Sequence, residues 1–156
     1  MNEVVEHLLR AFCAEVGIDD ADTVVLSAEV VIDGLAVQML AQDEDGEGLT
    51  LFADLGVPDS ARRAEVHRQL LEANLLWNAT GGATLGVHPA TAAVGLAARL
   101  PLPGLDGKAL ADAVARFVTV AEYWQGVVTG GGAGTTAMPA TLSAADAMGN
   151  AFLLRG

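Results

Sequence analysis

The amino-acid sequence predicts a small α/β (α+β) domain in which helices pack on a twisted antiparallel sheet, in the order α-β-β-β-α-β-β-α. Three observations support this class. Apolar residues recur at three-and-four spacing in three segments, which is typical of amphipathic helices. Between those segments apolar residues alternate with polar or small ones, as they do in half-buried strands. The pair Asp33-Gly34 has the composition of a two-residue hairpin loop, which joins antiparallel strands.

The first helix is predicted over residues 4–16. Its core-facing side chains share the helical spacing and are Val5, Leu8, Leu9, Phe12 and Val16. Asn2 is a candidate cap at its start, and Gly17 is expected to end it. Cys13 is the one cysteine of the chain, and its place on this apolar helix favours core packing over a reactive thiol.

A three-stranded meander is predicted to follow from Asp22. The loop at Asp33-Gly34 sets a register that pairs Ile32 with Leu35, Val30 with Val37, Ala28 with Met39 and Leu26 with Ala41. All of these residues are apolar, so the turn and the alternation place the same continuous apolar face on the sheet. The segment LTLFADL extends that face after the acidic run at residues 43–47. We interpret the acidic run as a solvated turn, because it lacks the pattern of a calcium loop.

The opposite face of this sheet is mixed in character, where a solvated face would be polar. It carries Val25, Ser27, Glu29, Val31, Ala36, Gln38, Leu40, Gln42, Thr50 and Phe52. Apolar side chains interleaved with polar ones suit an extended peptide, but single exposed apolar residues are also common on ordinary surfaces. The residues alone leave both interpretations open.

A second helix is predicted over residues 60–79, with Asp59 and Ser60 available as caps and Gly81-Gly82 as its end. Its apolar residues are Val66, Leu70, Leu71, Leu75, Leu76 and Trp77. This set is broader than one core-facing stripe, which indicates that the helix packs against two partners.

A second hairpin and a last helix complete the predicted domain of residues 1–128. Alternation predicts strands at residues 83–87 and 92–100 around a turn. Asp106 is a candidate cap for a helix whose apolar stripe comprises Leu110, Val114, Phe117, Val118, Ala121, Trp124 and Val128. Residues 129–156 form a Gly-rich linker and a tail that could form a short helix. The tail either frays or docks as an apolar peptide on this protein or a neighbour.

The sequence offers no convergent set of acid, base, nucleophile or metal ligands. His7, His67 and His88 are scattered and lack a second ligand at metal-binding spacing. The segment TGGATLG follows a helix, precedes a strand and has no lysine, which favours a helix stop over a phosphate-binding loop. We therefore predict a protein that is not an enzyme, with no catalytic residue, no metal and no cofactor.

The net charge of −12 is concentrated in the first 59 residues, which hold fourteen acidic residues and one basic residue. Such a field repels phosphate backbones, so it disfavours nucleic-acid binding and favours solubility or a basic partner. No apolar run approaches the roughly 20 residues that span a bilayer, and the acidic start does not resemble a secretory signal. We expect no membrane insertion.

The chain resembles the class I type III secretion chaperones, the Tir-chaperone-like family. Beyond its small size, acidity and element order, two segments carry the resemblance, LLEANLLWNATGGATLGVHPATAAVGLAARLPL and LDGKALADAVARFVTVAEYWQGVV. The most specific parts are the LLEANLLW helix, the GGATLG segment and the helix end with Phe117, Ala121, Glu122 and Trp124. The resemblance covers residues 1–128, and the Gly-rich extension after Thr129 is not part of the family pattern.

The resemblance implies a homodimer in the bacterial cytoplasm that acts without ATP. Such a protein binds the N-terminal segment of a secreted effector in extended form and keeps it soluble and competent for export. The implied dimer interface comprises Leu70, Leu71, Asn74, Leu75, Trp77 and Leu85. The implied effector-binding residues are Leu9, Phe12, Val31, Leu40 and Phe52. The alternative is a regulatory or scaffold protein that uses the same domain to bind a folded partner.

Overall fold

The computed structural model describes residues 3–41 and 48–131. Its helices are α1 (Glu3–Val16), α2 (Ala21–Ser27), α3 (Arg63–Asn74) and α4 (Gly107–Thr129), with a 3₁₀ turn at Leu75–Trp77 after α3. Its strands are β1 (Glu29–Ile32), β2 (Leu35–Ala41), β3 (Gly48–Asp54), β4 (Thr84–Val87) and β5 (Val94–Pro101). These strands form an antiparallel sheet in the order β1-β2-β3-β5-β4, with β1 and β4 at its edges. The predicted fold class is confirmed.

The chain divides into two compact units. The first comprises the residues up to Phe52 together with Arg99–Val118, and the second comprises Ala53–Ala98 together with the residues from Thr119. Apolar side chains buried in the first unit include Leu9, Phe12, Val37, Met39 and Leu110. Those buried in the second unit include Leu55, Val66, Val94, Leu96 and Val128. The predicted acidic turn, the cap Asn2 and nearly all of the predicted tail lie outside the described residues.

Helix α1 has most of the predicted apolar stripe. The buried members are Val5, Leu8, Leu9 and Phe12. Val16 is exposed, because it stands at the last residue of the helix. Gly17 ends the helix with φ of +75°, and the Ile18 N–H donates to the carbonyl oxygen of Cys13 at 2.9 Å.

Cys13 is buried, as its place in the apolar helix predicts. Burial raises the pKa of its thiol, an effect that the nearby Arg10 only partly opposes. The side chain therefore remains a neutral thiol near pH 7 and acts as a small apolar filler.

Helix α2 replaces the first part of the predicted strand, so the prediction of a strand from Asp22 is wrong. Asp20 caps this helix: its Oδ1 accepts from the Thr23 N–H at 3.1 Å and its Oδ2 from the Thr23 hydroxyl at 2.7 Å. A side-chain cap satisfies the free N–H groups of the first turn, and here it overrides the β-branched run that favoured a strand. The helix ends at Ser27, and the residue that caps it, Ala28, has φ of +52°. Strand β1 is consequently only four residues long.

The β1–β2 hairpin has the predicted register next to its loop. The observed pairs are Val30 with Val37 and Ile32 with Leu35. Asp33 and Gly34 both have positive φ, at +51° and +83°, as a type I′ turn requires. The turn chemistry therefore sets the register that the sequence predicts.

The register continues for one more pair and then stops. The Met39 N–H donates to the carbonyl oxygen of Ala28 at 2.7 Å, which keeps these two predicted neighbours together. The predicted pair of Leu26 with Ala41 does not form, because Leu26 lies in α2 and is 86% exposed. The assignment of Leu26 to the core-facing side is therefore wrong.

Helix α3 is shorter than the helix predicted over residues 60–79, since it ends at Asn74. Leu76 and Trp77 in the following 3₁₀ turn have φ of +57° and +53°. This left-handed conformation is sterically unfavourable for side chains with a Cβ and cannot continue a right-handed helix. The predicted last turn of the helix is therefore wrong.

The second hairpin and α4 agree with the prediction. The β4–β5 register includes the pairs Leu85–Leu96 and Val87–Val94. Asp106 caps α4, because its Oδ1 accepts from the Ala109 N–H at 2.8 Å. The predicted stripe is buried throughout, at Leu110, Val114, Phe117, Val118, Ala121, Trp124 and Val128.

Gly107 begins α4 at a close approach to α1. A Cβ added there would lie 2.6 Å from the carbonyl carbon of Ala11 and 2.7 Å from its carbonyl oxygen. Because backbone atoms cannot rotate away, we expect Gly107→Ala to lower the free energy of unfolding by roughly 1–3 kcal/mol, the usual cost of overpacking. Urea denaturation measures this change. Gly86→Ala is the control, since a Cβ at Gly86 meets nothing within 4 Å, and equal losses in the two variants would contradict the prediction.

Candidate partner-binding surfaces

The outer sheet face of the first unit is formed by Glu29, Val31, Ala36, Gln38, Leu40, Thr50 and Phe52. Cross-strand pairs join Val31 with Ala36, Leu40 with Thr50, and Gln38 with both Glu29 and Phe52. Val31 is 63% exposed and Leu40 is 45% exposed, while Phe52 is half-buried. The face therefore presents apolar side chains at separated positions with polar side chains between them.

Three residues assigned to this face by alternation are not part of it. Val25 and Ser27 belong to α2, and Gln42 lies outside the described residues. Ser27 instead makes local contacts beside strand β1. Its Oγ accepts from the Glu29 N–H at 3.2 Å and donates to the carbonyl oxygen of Thr23 at 2.8 Å.

Leu9 and Phe12 lie in the core of the first unit, and neither has any exposed surface. In this conformation their side chains stabilise the fold and cannot contact a partner directly. The binding surface that we propose is therefore the outer sheet face without Leu9 and Phe12. Helical spacing alone identified an apolar stripe, and a stripe of that kind is usually the one that faces the core.

A shallow cleft beside α1 is a surface that the sequence did not reveal. Its volume is about 210 Å³, and it is lined by Val4, His7, Leu8, Ala11, Leu102, Leu105, Asp106 and Gly107. Val4 and Ala11 fall outside the predicted helical stripe. Leu102 and Leu105 lie between β5 and α4, in a segment that the sequence predicts only as the end of a strand. The available signal was their apolar character at positions where a polar side chain would be tolerated.

The second unit carries a separate group of exposed apolar side chains, which we call the helix-end patch. It consists of Leu71, Leu75, Leu76, Trp77 and Val87. Leu71 is 73% exposed and Leu75 is 67% exposed. Large apolar side chains grouped at such exposure mark an interaction surface more often than an ordinary one.

The predicted interface residues fall into two groups. Leu71, Leu75 and Trp77 lie in the helix-end patch, whereas Leu70 and Leu85 are buried in the second unit. Sequence reasoning missed Leu76 and Val87 as members of the patch. Leu76 was visible as part of the broad apolar set, and Val87 as the residue that follows Leu85 in the strand alternation.

Asn74, the remaining predicted interface residue, joins the end of α3 to the edge strand β4. Its Nδ2 donates to the carbonyl oxygen of Leu85 at 2.9 Å, and its Oδ1 accepts from the Leu85 N–H at 2.9 Å. The left-handed residues Leu76 and Trp77 follow directly. Such conformations cost roughly 1–3 kcal/mol each and persist only where the surroundings hold them. Tertiary contacts such as those of Asn74 therefore hold the segment that displays the patch.

Charged side chains beside the helix-end patch are paired with one another. Arg68 lies about one turn before Leu71, donates to Glu65 at 2.7 Å and also contacts Glu72. Hydrogen bonds from Arg68 and Gln69 lower the pKa of Glu65 from 4.5 to about 2. These exposed pairs add little stability. Arg68 is shared by two carboxylates, so the surface next to the patch keeps a small negative charge, whereas the five patch residues carry none.

The described residues contain no group of three or more His, Cys, Asp or Glu side chains that could hold a metal ion. His88 lies in the β4–β5 turn, where its Nδ1 accepts from the N–H groups of Ala90 and Thr91 at 3.3 Å. Gly81 and Gly82 have φ of +59° and +88° and lie in the turn before β4. They do not end a helix as predicted, because α3 already ends at Asn74. None of the helices within residues 3–41 and 48–131 has the length and apolar character needed to cross a bilayer.

Comparison with known proteins gives one family and one fold. The model of the Tir chaperone protein (CesT) family matches residues 7–125. The crystal structure of the ExsC–ExsE complex is similar, with a TM-score of 0.63 and 24% identity over 83% of this chain and 98% of that chain. No curated protein sequence matches significantly.

Two further solved structures share the fold. The HopA1–SchA chaperone–effector complex has a TM-score of 0.58 and 19% identity, over 78% of this chain and 93% of that chain. The Yersinia pestis type III secretion chaperone SycH, in complex with a stable fragment of YscM2, has a TM-score of 0.52 and 20% identity, over 74% and 94%.

Proposed function

The chain belongs to the Tir chaperone protein (CesT) family, and from this premise we propose that it is a chaperone for a type III secreted effector. It binds the N-terminal segment of that effector in extended form and keeps the segment soluble and competent for export. SchA is part of a chaperone–effector complex and SycH is a type III secretion chaperone, and both have the fold of this chain. These relatives support the proposal.

The observation that carries the proposal is the exposure of Val31 and Leu40 on the outer sheet face. An extended peptide places alternate side chains on one side, so its apolar residues can contact these two while its polar groups meet Gln38 between them. Burial of apolar area contributes roughly 25 cal/mol per Å² before the cost of ordering the peptide. A long segment can thus bind tightly without any chemical step.

The charge of the first unit favours a basic client. The residues of this unit include fourteen acidic and four basic side chains. Arg10 is paired with Glu6 and with Asp22, the latter at 2.7 Å, Lys108 is paired with Asp112 at 2.9 Å, and Arg99 and Arg116 are the other two basic residues. Acidic side chains therefore remain in excess, among them Glu29 on the outer sheet face and Asp33 beside it. Complementary charge steers a basic segment to the surface and keeps the loaded complex soluble.

The helix-end patch is the proposed contact between two copies of the chain. A two-fold dimer uses the same surface on both subunits, so five exposed apolar residues on one copy meet the same five on the other. This pairing supplies the second partner that the broad apolar set of the middle helix requires. The outer sheet face remains available to the effector in each subunit.

The remaining parts of the proposal follow from this activity. Binding and release of an extended segment need neither a catalytic residue nor a cofactor, so we propose that the protein is not an enzyme. An effector must be held before export, which places the chaperone in the bacterial cytoplasm.

Co-purification followed by hydrogen exchange tests the proposal. A tagged chain is isolated from its native host, the partner is identified by mass spectrometry, and amide exchange of that partner is measured free and bound. We expect protection on binding to be confined to an N-terminal segment that exchanges freely when unbound. A partner that is already protected across a folded domain would instead indicate the regulatory or scaffold alternative.

A further inference from the structure

The outward-facing backbone groups of β4 decide whether the sheet can grow at this edge. Along an antiparallel edge strand, the backbone N–H and C=O groups of successive residues point alternately toward the neighbouring strand and away from it. The His88 N–H donates to the carbonyl oxygen of Ala93 at 2.8 Å, so the backbone groups of His88 point toward β5. By alternation, the backbone groups of Val87 and Leu85 point outward. An edge strand with open outward groups can pair with another chain.

Asn74 occupies the outward groups of Leu85. Its carboxamide carries a donor and an acceptor arranged like those of a peptide group, and both bonds to Leu85 are 2.9 Å long. The side chain therefore stands where the backbone of an added strand would bind. Because β4 is four residues long, this leaves Val87 as the other outward residue of the strand.

The opposite edge of the sheet, at β1, is not closed in this way. The backbone groups of Glu29 and Val31 point outward there, because those of Val30 and of Ile32, which flanks the loop, point toward β2. The Ser27 hydroxyl accepts from the Glu29 N–H at 3.2 Å and lies 3.3 Å from the Glu29 carbonyl oxygen, but its single proton has a closer acceptor at 2.8 Å, the carbonyl oxygen of Thr23. One shared hydroxyl proton therefore holds the carbonyl of Glu29 weakly, whereas the carboxamide of Asn74 has a separate donor and acceptor for the two groups of Leu85.

We propose that Asn74 is a positioning residue that closes the β4 edge, so that a second copy of this chain docks on the helix-end patch through side chains and does not join its sheet. The occupant follows from continuity: exposed Leu71 and Leu75 lie three residues before and one residue after Asn74, which is bound to β4, and exposed Val87 lies in β4 itself. Two copies that meet at this patch bring their β4 edges close together. An open β4 edge would also accept the β1 edge of a further copy, and this head-to-tail pairing of unlike edges does not close but continues from copy to copy. The inference rests on the proposed function only for the dimer.

Amide hydrogen exchange tests the closure directly. The experiment uses a background of Leu71→Asp with Leu75→Asp, in which self-association does not contribute to protection. We expect Asn74→Ala to speed exchange of the Leu85 amide by at least about tenfold, while the His88 amide keeps its protection. Asn78→Ala, at an exposed asparagine four residues further on, is expected to change neither rate. An unchanged Leu85 amide, or equal acceleration at Leu85 and His88, overturns the proposal.

Sedimentation velocity tests the consequence for assembly. Asn74→Ala alone is expected to form species larger than those of the wild type, and these grow with concentration. Adding Val87→Pro should abolish the species larger than those of the wild type, because proline removes an outward N–H without breaking a bond to β5. Wild-type size for Asn74→Ala, or large species that persist with proline, overturns the proposal. A wild type that sediments as a single subunit contradicts the proposed dimer instead, and the Leu85 exchange rate still decides the role of Asn74.

Discussion

A chain that carries Val31→Asp and Leu40→Asp is expected to bind its effector at least about 100-fold more weakly than the wild type. Full burial of an aliphatic side chain contributes about 1.5–3 kcal/mol, and each ~1.4 kcal/mol corresponds to a tenfold change in affinity. Two lost contacts, together with the cost of desolvating two carboxylates, therefore exceed 100-fold. Isothermal titration calorimetry with the effector segment measures the change.

The fold of this variant is expected to survive, because Val31 and Leu40 are exposed at 63% and 45%. Surface changes of this kind usually alter the free energy of unfolding by less than about 0.5 kcal/mol. Val57→Asp, at a valine that is 49% exposed in the second unit, is the control for each single change. Unaltered affinity in the double variant would remove the outer sheet face as the binding surface. An equal loss in Val57→Asp would assign the effect to added charge alone.

Leu71→Asp combined with Leu75→Asp is expected to convert the proposed dimer into single subunits. Each residue occurs twice in a two-fold interface, so the double change removes four leucine contacts and introduces four carboxylates. The lost burial amounts to roughly 6 kcal/mol or more, which corresponds to at least about 10⁴-fold in the dimer dissociation constant. Light scattering coupled to size-exclusion chromatography measures the mass of the variant.

The control for this change is Leu26→Asp, since Leu26 is 86% exposed and lies in the other unit. It is expected to keep the wild-type mass. The far-UV circular dichroism spectrum should be the same for all three proteins, because the altered leucines are exposed in the single chain. A dimer that survives the double change would exclude the helix-end patch as its interface.

Those parts of the fold whose signals are local and mutually consistent could be predicted from the sequence. Asp33-Gly34 fixed the hairpin register because the turn and the alternation of apolar residues require the same pairs. Asp106 and the stripe from Leu110 predicted α4 for the same reason. The sequence does not predict helix α2, because Val24 and Val25 favour a strand and the cap at Asp20 that decides the conformation is a weaker local signal.

Features that depend on contacts distant in sequence could not be predicted. Helix α3 ends at Asn74, whose side chain is bound to Leu85, eleven positions away, and no local residue signals that end. The same limit applies to the candidate site. The exposure of Val31 and Leu40 followed from alternation, but Leu9 and Phe12 share one helical stripe with the core, and only the packed structure shows that they are buried.

Because Cys13 is buried, a label can be attached to this protein at a chosen position. Accessible thiolates attack maleimides and related reagents, whereas this sulfur is buried and its thiol pKa is raised by that burial. The chain contains no other cysteine. A cysteine introduced at exposed Thr91, for example, would take up a fluorophore or spin label while the native residue stays in place. Spectroscopy can thus measure distances between the labelled chain and its effector, and between the two copies of the proposed dimer, without a change to the interior.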